Sequence, residues 1–126
     1  MFEVTVAARF EAAHRLIGDF GPATRTHGHT YRLQVTIRDE ALAPDGTLLD
    51  VGELRQAVDA LAGSLHYTDL DEVPGLSTVN TTVEQVAQHC WKELAPTVQG
   101  DGMSTMRVAV WESEDVGAAV DAPLDR

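Results

Sequence analysis

Two runs of strict alternation constrain this chain more than any other feature. Phe2, Val4, Val6, Ala8 and Phe10 share one side of the first run; Tyr31, Leu33, Val35 and Ile37 share one side of the second, opposite Arg32, Gln34, Thr36 and Arg38. A period of two is the pattern of a strand with one buried face. The stretch between them, residues 18–26, is rich in turn formers, so the strands are expected to pair antiparallel, the end of the first meeting the start of the second.

That pairing gathers histidines. His27 and His29 open the second run as HGH and project the same way, because strand positions two apart share a face. His14 lies just past the first run, so the antiparallel arrangement brings three imidazoles together. Gly28 leaves room between them for backbone or substrate to approach. Three neutral imidazoles suit zinc, and a catalytic zinc keeps three protein ligands with a fourth position for water or substrate. An HxH pair alone is a weak signal, and an isolated histidine is more often a hydrogen-bonded core or surface residue. His89 reads that way: it falls in a helical pattern without a histidine partner, and no function is assigned to it.

With 126 residues, 44% of them hydrophobic, the chain is expected to be one domain with a real core. No apolar run approaches the roughly 18 residues that a membrane span requires, and the start, MFEVTV, lacks the features of a secretory signal. Cys90 is the sole cysteine, which excludes an internal disulfide and fits a reducing compartment; a cytoplasmic location is expected. Its neighbours in the pattern are apolar, so it reads as a small buried hydrophobe. A net charge of −11 argues against a nucleic-acid or anionic-membrane surface. An anionic small substrate would have to be met locally, by the metal and by Arg15, Arg25 or Arg32, each of which reads equally as a solvated surface residue.

The remaining pattern is helix, helix, strand, strand. Residues 43–46 read as a turn. Asp50 starts a helix with Glu53 at capping-box spacing and Val51, Leu54, Val58, Leu61 and Leu65 on one face, and Gly63 is expected to help end it. Residues 73–76 belong to a loop. A second helix begins near Thr81, with Glu84 three residues on and Val83, Val86, Ala87, Cys90 and Leu94 as its apolar stripe, and Pro96 stops it. Met106, Val108 and Val110 mark a third strand ending at Glu112, with a short fourth at 117–120, and the stretch from Asp115 is expected to fray in part. The fold class that follows is α+β: a four-stranded antiparallel sheet, ββααββ, with two helices on one face.

Two further groups carry chemistry. Glu112 continues the apolar face of the third strand, so it either turns into solvent or stands at a pocket rim as an acceptor for a ligand's N–H groups. His66, Tyr67 and Asp69, just past the first helix, can exchange protons or hydrogen-bond, although such clusters are usually ordinary loop chemistry.

FEAAHRL at 10–16, HGH followed by Tyr31, Leu49 and Asp50 with Glu53, LDEVPGL at 70–76, Thr82 with Glu84, and VWE at 110–112 stand in an order that resembles the family of 6-pyruvoyltetrahydropterin synthase and its bacterial relative, 6-carboxytetrahydropterin synthase. The resemblance runs from residue 2 to about 114. It implies a T-fold, a homotrimer or homohexamer with active sites between subunits, zinc held by His14, His27 and His29, and a small pterin-like substrate anchored by Glu112, with Arg25 and Thr82 also facing it. It also implies a cysteine base four residues before HGH, where this chain has Ala23, and an Asp and His relay where this chain reads LHYTDLD at 65–71. Aligned on Leu70 and Asp71, His66 replaces the relay Asp and Tyr67 the His; a one-residue slip keeps His66 as the histidine and loses only the Asp. An alanine methyl cannot take a proton, and loss of a positioned base costs on the order of 10² to 10⁴ in rate. The expectation is therefore a zinc-dependent lyase-type enzyme with a changed reaction (elimination, retro-aldol cleavage or amine–aldehyde condensation), in which His66, Tyr67 or Asp69 takes over acid/base work. The alternatives are a non-catalytic zinc-containing binding module and a metal-free structural protein.

Overall fold

A computed structural model describes residues 1–98 and 104–124. The two alternating runs form β1 (Phe2–His14) and β2 (His27–Asp39), paired antiparallel over their whole length. Helix α1 (Val51–Leu65) follows, then a two-residue strand β3 (Thr68–Asp69), helix α2 (Val83–Leu94), β4 (Thr105–Trp111) and β5 (Gly117–Pro123). The sheet order is β3-β1-β2-β4-β5, antiparallel throughout except that β3 runs parallel to β1. The α+β architecture agrees with the sequence pattern, but the sheet has five strands. Two residues are too few to show a period, and β3 exists because the chain leaving α1 is stitched to the edge of β1: Tyr67 N–H donates to the Glu11 carbonyl at 2.6 Å, and Glu11 N–H donates to His66 Nδ1 at 3.0 Å.

The core lies between one sheet face and both helices. Val6, Phe10, Leu33, Val35, Ile37, Met106, Val108 and Val110 meet Leu54, Val58 and Leu61 of α1 and Val86, Ala87 and Cys90 of α2, all buried. Both helices begin at side-chain caps. Asp50 accepts from Glu53 N–H at 3.2 Å, as its spacing predicts. For α2 the cap is Thr82, which accepts from Gln85 N–H at 3.3 Å, not Thr81. Thr81 is buried and engaged elsewhere, so the N-terminus moves one residue along. Gly63 does not end α1, which runs on to Leu65, because that leucine is buried and extends the apolar stripe. Gly75 has a φ of +93°, and a Cβ there would stand 3.0 Å from Nδ1 of buried His89, so the turn at 73–76 both needs and leaves room for glycine.

The other sheet face is bare. Arg9 and Arg32 stand directly opposite each other on it, and Arg38 reaches Glu3 and Asp121 at 3.8 and 3.7 Å. The short strand expected at 117–120 is β5, which continues to Pro123 through the stretch expected to fray in part, and Leu124 beyond it is buried.

Candidate metal and substrate site

Register assembles the histidines. His14, the last residue of β1, faces His27, the first of β2, and His29 projects to the same side two residues on. The three rings meet at steep angles with centroids 4.6, 4.9 and 5.1 Å apart, and one nitrogen from each lies within 4.8 Å of the others. Among the described residues no second group of His, Cys, Asp or Glu converges in this way.

Backbone carbonyls set the ring states. His14 Nδ1 is 2.7 Å from the Thr81 carbonyl oxygen and His27 Nδ1 is 2.7 Å from that of Arg25. A carbonyl can only accept, so each Nδ1 carries a hydrogen, which leaves Nε2 as the ring nitrogen that can offer a lone pair to a ligand. Burial lowers the His29 pKa below the ordinary histidine value, opposed by Glu112 and aided by the rings of His14 and His27. With His29 neutral, the 3.8 Å approach of its Nε2 to Glu112 is a polar contact and not an ion pair. His14 is 1% exposed and its Nε2 has no hydrogen-bond partner. An orphaned buried polar atom costs about 1–3 kcal/mol, and a cation would satisfy it. Three imidazole nitrogens that can each offer a lone pair, one of them buried without a hydrogen-bond partner, fit a divalent metal ion.

Beneath the histidines lies Tyr31, stacked on Phe10 at 4.9 Å, with its ring centroid 5.4 Å from that of His29 and 6.1 Å from that of His14. It is wholly buried and its hydroxyl is the second orphan. Burial, with the nearby carboxylates of Glu112 and Asp71, pushes its pKa above the ordinary tyrosine value, so it stays a proton donor. Sequence reasoning placed Tyr31 only in the core face; the signal for more was a polar tip on an otherwise apolar face beside HGH.

Glu112 is brought to the histidines; the other expected residues surround them unequally. A cavity of about 680 Å³ is lined by His29, Thr30, Glu112, Arg9, Arg32 and Trp111. A second, of about 530 Å³, is lined by His29, Thr30, Glu11, Tyr67 and Asp69. Gly28 borders both, and His29 is their common wall. Within the second, Tyr67 is 81% exposed and held at a φ of +57°, with its ring 3.8 Å from that of His66. His66 Nδ1 accepts from the backbone, so the neutral ring presents an N–H at Nε2. Asp69 Oδ1 accepts from Asp71 N–H at 3.0 Å. Arg25 touches the triad through its carbonyl, and the Thr82 hydroxyl caps α2. Ala23 sits in a short 3-10 turn (Gly21–Thr24) whose carbonyl at Ala23 accepts from Leu16 N–H at 2.9 Å, tying that turn to the segment just beyond His14.

The family model for 6-pyruvoyl tetrahydropterin synthase matches residues 3–123. The 6-pyruvoyl tetrahydrobiopterin synthase of Dictyostelium discoideum is 26% identical, over 71% of this chain and 76% of its own. The 6-carboxy-5,6,7,8-tetrahydropterin synthase of Haemophilus influenzae is also 26% identical, over 90% and 94%. The Caenorhabditis elegans 6-pyruvoyl tetrahydropterin synthase superposes with a TM-score of 0.85 at 23% identity, covering 96% of this chain and 95% of that one, a likeness of fold. By a match that spans nearly the whole sequence, the chain belongs to the 6-pyruvoyl tetrahydropterin synthase family.

Proposed function

We propose that this protein is a zinc-dependent lyase-type enzyme that acts on a pterin or another heterocyclic small molecule by a reaction changed from that of 6-pyruvoyl- and 6-carboxytetrahydropterin synthases. The observation that carries the reading is the convergence of three imidazoles with Glu112 3.8 Å from one of them. Three ligands with an open position suit a catalytic zinc, whereas a structural zinc has four protein ligands. Zinc held by His14, His27 and His29 would supply Lewis acidity to a substrate oxygen.

The chain's own groups supply the rest. Glu112 accepts the N–H groups of the ring, while Arg25 and Thr82, expected beside it, meet the site only through the Arg25 carbonyl at His27 and the Thr82 cap of α2. The cysteine base is absent, since Ala23 occupies its place. His66 offers an N–H donor at Nε2, Tyr67 stands beside it, and Asp69 shares the cavity that reaches His29. The positive φ of Tyr67 supports a role there, because strained backbone of this kind concentrates at functional sites. The open edge of β5, and of β1 beyond β3, supports a homotrimer or homohexamer with sites between subunits. Among the described residues no helix is long and apolar enough to cross a membrane; with a lone buried cysteine this supports a cytoplasmic enzyme.

Dihydroneopterin triphosphate offered to the zinc-loaded protein, with products identified by mass, tests the claim. The expected result is neither 6-pyruvoyl- nor 6-carboxytetrahydropterin; either product would refute the changed reaction. Ala23 with no thiol nearby also favours a second reading, a binding module without turnover. The two separate on His66→Ala and Tyr67→Phe, which abolish turnover with zinc retained in an enzyme and change no reaction in a binder.

A further inference from the structure

We propose that Asp71 is the positioning residue of the histidine centre: by capturing the hydroxyl hydrogen of Thr81, it keeps His14 in the tautomer that leaves Nε2 free to ligate. The inference rests on the reading of the triad as a metal site.

Thr81 is wholly buried and meets His14 twice. Its carbonyl lies 2.7 Å from Nδ1 and its hydroxyl oxygen 3.4 Å from the same nitrogen. These contacts demand opposite ring states. The carbonyl requires a hydrogen on Nδ1. A hydroxyl that donated to Nδ1 would require a lone pair there, which moves the ring hydrogen to Nε2 and blocks the only nitrogen aimed away from Thr81. The hydroxyl has one hydrogen and three acceptors in range: Asp71 Oδ1 at 2.8 Å, the Arg15 carbonyl at 3.4 Å and His14 Nδ1 at 3.4 Å. The carboxylate is nearest and charged, and hydrogen bonds to an ionised acceptor are the strong ones. Asp71 therefore draws the hydroxyl away from His14 and leaves the carbonyl as the ring's sole partner.

Asp71 is itself held in place. Its Oδ2 accepts from Arg15 N–H at 2.9 Å, one residue beyond His14. Asn80 closes the clamp: its Oδ1 accepts from Ile17 N–H at 2.8 Å and its Nδ2 donates to the Ile17 carbonyl at 3.0 Å. The loop before α2 is thus fastened to the segment just beyond His14 by bonds to Arg15 and Ile17. Neither side-chain bond of Asp71, to Arg15 or to Thr81, follows from the motif spacing.

Asparagine at 71 keeps one acceptor for Arg15 N–H but turns an amide donor toward Thr81, whose hydroxyl must then accept and send its own hydrogen elsewhere. The test uses the full-length chain. On metal-free protein near pH 8, nitrogen and carbon NMR shifts of the His14 ring report the tautomer; Zn²⁺ affinity is measured separately by competition with a chromogenic chelator. Asp71→Asn is expected to raise the Nε2–H population and weaken Zn²⁺ binding by about 10- to 100-fold, the usual reach of an outer-shell partner. Thr81→Val, which keeps the carbonyl and removes the hydroxyl, is expected to bind Zn²⁺ within about threefold of wild type, and adding it to Asp71→Asn should restore both readouts. A merely structural Asp71 would lower folding stability without moving the tautomer, and Thr81→Val would not rescue it; that outcome, or an unchanged tautomer in Asp71→Asn, overturns the proposal. Wild-type protein that fails to bind Zn²⁺, together with a tautomer shift in Asp71→Asn, would sink the metal reading and leave the role of Asp71 standing.

Discussion

At the scale of single residues, the histidine cluster was legible because strand geometry leaves little freedom. Once β1 and β2 alternate, His27 and His29 must share a side, and only the register with His14 had to be seen. Thr81 was not legible. Its spacing to Glu84 satisfies the same capping pattern that Thr82 in fact serves by accepting from Gln85, and nothing local announces that its two oxygens belong to His14 and Asp71. Tyr67 stood out as a candidate, but its conformation was hidden for another reason: a left-handed backbone at a tyrosine has no sequence signal, unlike one at glycine. Cys90 behaves as its apolar neighbours predict. It is wholly buried, and burial, with Glu93 adding, pushes its thiol up to about 12. A thiol with that pKa cannot stand in for the missing base. A thiol-specific chromogenic reagent should leave native protein unlabelled and label it in denaturant, with the native rate lower by at least about a thousandfold, in line with the population of the opened chain. Rapid native labelling would put the thiolate back among the candidates.

At the scale of elements, helix existence and faces followed from the 3.6-residue stripe, while boundaries moved where tertiary contacts outweighed local preference. Gly63 is the instructive case. It reads as a stop, yet α1 continues for another two residues because Leu65 is buried at their end. The glycine is exposed, and a Cβ there would meet nothing within 4 Å. Gly63→Ala should therefore stabilise the protein by about 0.5–1 kcal/mol through helix propensity and the unfolded chain's lost freedom. Urea unfolding checks it: the midpoint should rise with the slope unchanged. β3 was out of reach of pattern reading, since what creates it is a pair of hydrogen bonds at Glu11, one donated to His66 and one accepted from Tyr67, and Glu11 is fifty-five residues from His66 in sequence.

At the scale of the whole molecule, folding and the centre are coupled. The orphaned Nε2 of His14 and the Tyr31 hydroxyl lie at one end of an otherwise well-satisfied core, so the metal-free protein carries a penalty that ligation relieves in part. Zn²⁺ at about one hundred times its dissociation constant should raise unfolding free energy by about 2.7 kcal/mol, read as an increase in melting temperature that a chelator reverses; His27→Ala should abolish the increase. An identical melting temperature with and without the ion would count against a site in the native fold. The ladder that sets Phe10 against Tyr31 also sets His14 against His27. A slip of one residue would turn Val6 and Phe10 out into water in the same stroke as it turned His14 away. The core thereby proofreads the centre: a misregistered chain has no stable state in which to persist, and a chain that has folded has already arranged its three imidazoles without an assembly factor to place them.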